Sequence, residues 1–109
     1  MDIDLEKLGK DLTAALSAVA GTHWNAIKQL SEEDLEFIKT TTTALAADVT
    51  AGRVTEEQAK MEAEDLRVAI EGMGDVLEIE GKVLAQDLVN TAMKVVSGAL
   101  NKAIGIALL

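Results

Sequence analysis

The sequence contains no cysteine, no proline and no tyrosine, and its only aromatic side chains are Trp24 and Phe37. Without cysteine there is neither a disulfide nor thiolate chemistry, and without proline no ring forces a helix to end. The core of a 109-residue chain must then be built from Leu, Ile, Val, Ala and Met, which is typical of helix packing rather than of β-sandwiches. We therefore expect a single all-α domain.

Basic side chains are also few, and they are unevenly placed. The formal net charge is −9, made up of −5 in residues 1–50, −6 in residues 51–90 and +2 in residues 91–109. Nucleic-acid binding needs clustered Lys and Arg, so this balance argues against it. An acidic surface suits solubility or a basic protein partner.

The chain also lacks the usual signs of export or membrane insertion. Its first residues, Met1–Asp4, are acidic, so they do not form a Sec-type signal. The longest wholly apolar run, residues 103–109, is too short to span a bilayer. These features favour an intracellular protein or a component of a larger particle, without fixing the compartment.

Apolar residues recur with helical spacing through most of the chain, which predicts helices at about residues 2–29, 32–51, 55–80 and 82–108. Gly21 marks a possible break within the first of these. Ser31, followed by three acidic residues, is predicted to cap the second helix, where the helix dipole favours negative charge. Leu30 and Leu35 flank this cap as a hydrophobic staple.

The second and third helices are predicted to form an antiparallel hairpin. Gly52 suits the left-handed position after a helix, and Thr55 with Gln58 forms a capping box for the next helix. So short a connection makes its two helices neighbours. The glycines of residues 72–81 favour a second break, although a continuous helix over residues 56–109 remains open. We expect a three- or four-helix bundle built on this hairpin.

The carboxyl-terminal helix is the candidate interaction site, because its apolar side spans roughly 200° of the circumference. Its alanines let another backbone approach closely. We expect its cover to come mainly from another copy or a partner; enclosure within a monomer and contact with lipid are the alternatives. The predicted interaction residues are Ala85, Leu88, Ala92, Val95, Val96, Ala99, Leu100 and Ala103.

No motif nominates catalytic, cofactor-binding or metal-binding residues, so we expect a non-enzymatic protein. His23, the only histidine, is interpreted as lying at the rim of the bundle, and Arg53 as lying near the end of the preceding helix. Glu71, Asp75 and Glu78 share one helix face and are interpreted as solvated rather than as a metal site.

The leading functional prediction is a structural protein that forms a homo-oligomer or joins a larger assembly. A membrane-associated protein and an acidic binding or inhibitor module for a basic partner are the alternatives.

Overall fold

A computed structural model describes residues 4–104 of the chain, and within that range the fold is all-α, as predicted. Residues 4–104 contain four α-helices, which we number in order as α1 to α4. Short 3-10 turns at residues 21–23 and 78–80 precede α2 and α4. The helices are α1 (Leu5–Ala20), α2 (Trp24–Thr50), α3 (Glu56–Leu77) and α4 (Lys82–Ile104).

Side chains that accept backbone hydrogen bonds fix the beginnings of α1 and α3. Asp4 caps α1, because its Oδ1 accepts from the backbone N–H groups of Glu6 and Lys7. Thr55 caps α3 in the predicted capping box: its hydroxyl accepts from the Gln58 N–H at 3.1 Å, and the Gln58 side chain accepts from the Thr55 N–H at 2.9 Å. Each arrangement satisfies donors that a helix leaves unpaired at its start.

Glycines in the left-handed region lie at the three changes of direction between helices. Gly21, Gly52 and Gly81 have φ values of 55°, 71° and 125°, which disfavour residues that carry a Cβ. Gly52 therefore has the conformation expected of it, and the chain does break between residues 72 and 81, after the 3-10 turn. Residues 2, 3 and 105–108 of the predicted helices lie outside the described residues.

The predicted helix start at Ser31 is wrong. Ser31 lies inside the 27-residue helix α2 and is buried, with its hydroxyl donating to the Ile27 carbonyl at 2.6 Å. Thr42 is buried in the same way and donates to Ile38. A hydroxyl that bonds to the carbonyl four residues earlier needs no other partner, so both residues fit within the apolar seam of α2.

The four helices share one core, and α4 packs against α1, α2 and α3. Where α3 meets α4, a Cβ added to Gly74 would lie 2.6 Å from Cγ2 of Val89. Such a contact is far shorter than van der Waals distance, and the β-branched Val89 has little rotamer freedom with which to move aside. The absence of a side chain at Gly74 thus leaves the space that Val89 occupies.

We predict that Gly74→Ala lowers the free energy of unfolding by about 1–3 kcal/mol, because the added methyl group overpacks the α3–α4 contact. Gly72→Ala is the matched control, since no atom lies within 4 Å of its Cβ position. Removing a glycine from an open helical position should raise stability by about 1 kcal/mol. Urea denaturation measures both, and equal stabilisation by the two substitutions would contradict the packing described.

Candidate functional site

Five of the eight predicted interaction residues belong to the core of a single copy of the chain. Leu88, Ala92, Val96 and Leu100 are fully inaccessible to solvent, and Ala85 is nearly so. Helices α1, α2 and α3 supply their surroundings. The expectation that the cover of this helix comes mainly from outside the chain is therefore wrong for these residues.

The remaining three, Val95, Ala99 and Ala103, are only partly buried. They line a groove of about 640 Å³ between α4 and α1, with the buried Leu8 also in its lining. Gly98 lines the groove as well, and open space surrounds its Cβ position. Because these residues are small, another backbone can approach α4 closely here.

Charged side chains of both signs border this groove. Lys94 and Lys102 come from α4, whereas Asp4, Lys7 and Asp11 lie at or near the start of α1. The α4 side is thus positive and the α1 side carries two carboxylates and one ammonium group. An apolar floor between borders of unlike charge can receive an element that carries the opposite arrangement. We call this site the α1–α4 groove.

A second surface, on α3, was not predicted from the sequence. Met61, Val68 and Val76 are 69%, 58% and 40% exposed, and they follow one another at intervals of seven and eight residues. We call these three residues the α3 outer stripe. Met61 and Val68 lie on the side of the helix opposite the buried Ile70, and Val76 lies at the edge of that side. The sequence does contain a signal for this stripe, since apolar residues with helical spacing also occur on a second face of the helix, away from the buried seam.

Residues interpreted as having no catalytic role lie in polar surface contacts. His23 is exposed, and its Nδ1 lies 3.1 Å from Oε2 of Glu80, which joins the two 3-10 turns. Arg53 donates from Nε to Asp48 at 2.8 Å. Both contacts connect turns to neighbouring elements, and partly exposed pairs of this kind contribute little to stability.

The carboxylates of Glu71, Asp75 and Glu78 line a depression of about 470 Å³ between α3 and α4, together with Gln86 and Asn90. The two amides are engaged with each other, since Gln86 Nε2 donates to Asn90 Oδ1 at 3.0 Å. Among residues 4–104 no group of His, Cys, Asp or Glu has an arrangement that would hold a metal ion.

The membrane alternative requires an apolar surface that lipid can reach. Across the described part of the chain, no helix combines the length and hydrophobicity needed to traverse a bilayer. Helix α4 has a wide apolar arc, but its Leu88, Val96 and Leu100 are buried in the core. Within the apolar arc of α4, Val95, Ala99 and Ala103 remain partly accessible.

No protein family, curated protein or solved structure matches this chain significantly. The roles of the α1–α4 groove and the α3 outer stripe are therefore inferred from the residues that form them.

We predict that Ala92→Glu and Ala99→Glu have different consequences, although both replace an alanine of α4. Ala92 is 0% exposed, so a carboxylate there would be buried without a partner and should lower the free energy of unfolding by about 3–5 kcal/mol. Ala99 faces the groove, where a carboxylate can reach water, and its substitution should cost less than about 1 kcal/mol. Circular dichroism with urea titration measures both, and similar losses would contradict the enclosure of α4.

Proposed function

We propose that this protein is a non-enzymatic assembly protein, and that two copies associate through the α1–α4 groove. The proposal keeps the interaction role expected of the carboxyl-terminal helix but assigns it to Val95, Ala99 and Ala103. The buried part of α4 forms the core of a four-helix bundle in each copy. The observation that carries the proposal is the apolar, small-residue floor of a groove whose two borders differ in charge.

The charge pattern favours a second copy as the partner. In a two-fold symmetric pair the same surface of each copy meets its counterpart, so every contact occurs twice. Lys94 and Lys102 of one copy can then approach Asp4 and Asp11 of the other, while the small residues between them allow close helix packing. A surface that carries both charges can be complementary to itself, whereas a groove of one sign would repel its copy.

The apolar floor is the source of affinity, and the charged borders set the orientation. Burying side chains the size of valine contributes about 1.5–3 kcal/mol each at most, and association has to offset lost translational and rotational freedom of at least about 4 kcal/mol. Alanines contribute less than valine. We therefore expect a weak dimer that exchanges with the monomer, rather than an obligate one.

We predict that Ala99→Glu prevents this association while leaving the bundle folded, because it places a carboxylate in the apolar floor. Size-exclusion chromatography with light scattering should give a concentration-dependent mass between one and two times 11.5 kDa for the natural sequence. The variant should remain at one times that mass. Ala26→Glu is the matched control, since Ala26 is exposed on α2 and lies outside the groove, and it should associate normally.

A monomeric mass for the natural sequence up to about millimolar concentration would contradict self-association, since such a dissociation constant corresponds to only about −4 kcal/mol. Sedimentation with phospholipid vesicles is carried out in parallel. Retention of the natural sequence, but not of Ala99→Glu, would assign the groove to a lipid surface instead of a second copy.

A further inference from the structure

The residues of the α3 outer stripe are apolar although they are exposed to solvent. At 100° per residue, Met61 and Val68 lie within about 20° of each other and roughly opposite Ile70, which is fully buried. Met61 has the greatest exposure of the three stripe residues. Isolated apolar residues are normal on a protein surface, whereas a line of them along one helix indicates a contact surface.

The spacing of the stripe fits another helix. Seven residues are close to two helical turns, so Met61 and Val68 stand about 10–11 Å apart on one line along α3. Val76 follows about 12 Å further along and about 80° round the helix. A helix packed alongside α3 presents side chains at the same interval. Ile79, which is also exposed, lies in the 3-10 turn that follows α3.

The charge around the stripe indicates which helix would fit. Residues 56–80 contain nine acidic and two basic side chains, so this stretch carries −7 of the net −9. Both basic side chains already have acidic neighbours: Lys60 Nζ lies 3.6 Å from Glu56, and Arg67 lies 2.8 Å from Glu64. Further carboxylates, such as that of Asp75, border the stripe at the exposed surface.

This charge favours one class of occupant over others. The same face of a second copy would bring two stretches of −7 together, and anionic lipid or nucleic acid would be repelled for the same reason. A basic partner would be attracted from a distance and oriented along α3. We infer that the α3 outer stripe docks an amphipathic helix of a partner protein, with apolar residues on one side and Lys or Arg beside them.

This second surface is independent of the proposed dimer, because no residue of α3 lines the α1–α4 groove. The variant Ala99→Glu can therefore serve as a monomeric background. A designed peptide is the probe: an amphipathic helix of about 20 residues with Leu at heptad spacing and Lys and Arg on both sides of the leucines. A peptide of the same composition in scrambled order measures attraction that depends on charge alone.

We predict saturable binding of the designed helix in fluorescence anisotropy, at least about tenfold tighter than binding of the scrambled peptide. The affinity should fall by about tenfold or more between ~50 and ~500 mM salt, because exposed charges are screened. Met61→Ser combined with Val68→Ser should weaken binding by about tenfold. Phe37→Ser is the control, since it removes an exposed side chain of α2 that is larger than either.

The charge contribution is tested separately. Glu64→Gln with Asp75→Asn should weaken binding several-fold, whereas Glu32→Gln with Glu33→Gln removes the same charge from α2 and should have little effect. Equal binding of the two peptides, or equal effects of the two charge pairs, would overturn the inference by reducing it to unspecific attraction. Binding of the designed helix that is unaffected by the double serine variant would likewise overturn it.

Discussion

The enclosure of α4 is the constraint on which the rest of the fold depends. Leu88, Ala92, Val96 and Leu100 recur at intervals of four along this helix, and all are inaccessible to solvent. Three other helices approach them, and this requires small residues where backbones come close. Ala92 is such a small residue and is buried in the core, and Gly74 leaves space for Val89 where α3 meets α4.

With most of α4 enclosed, two accessible apolar surfaces differ in character. The α1–α4 groove has a floor of small residues and borders of both signs, which suits a copy of itself. The α3 outer stripe has larger side chains within a strongly acidic stretch, which suits a basic helix. In the two proposals taken together, one dimer would hold two partner helices.

Local signals in the sequence predicted local structure well. Thr55 with Gln58 and the positive φ of Gly52 depend on residues a few positions apart, and the structure agrees with both expectations. The prediction for Ser31 was wrong because a serine hydroxyl has two uses. It can cap the start of a helix or, inside a helix, donate to a carbonyl of the preceding turn. The choice depended on tertiary burial, since the apolar seam of α2 continues through Ser31.

The candidate site was predicted only in part, and for a physical reason. Periodicity shows that a helix needs cover on a wide arc, but it does not show which chain supplies that cover. The sequence therefore predicts the same role for Leu88 and Ala99, whereas Leu88 lies in the core and Ala99 lines the α1–α4 groove. The stripe containing Met61 and Val68 was not predicted, because the buried seam is the stronger apolar periodicity of α3.

Whether α4 is covered by its own chain can be measured directly by native-state hydrogen exchange in the monomeric variant Ala99→Glu, as a function of protein concentration. We predict that the amides of residues 88–100 exchange only through global unfolding, at a rate that does not change with dilution. Loss of this protection in the variant, while the natural sequence keeps it at high concentration, would contradict enclosure within one chain, because it would show that another copy supplies the cover.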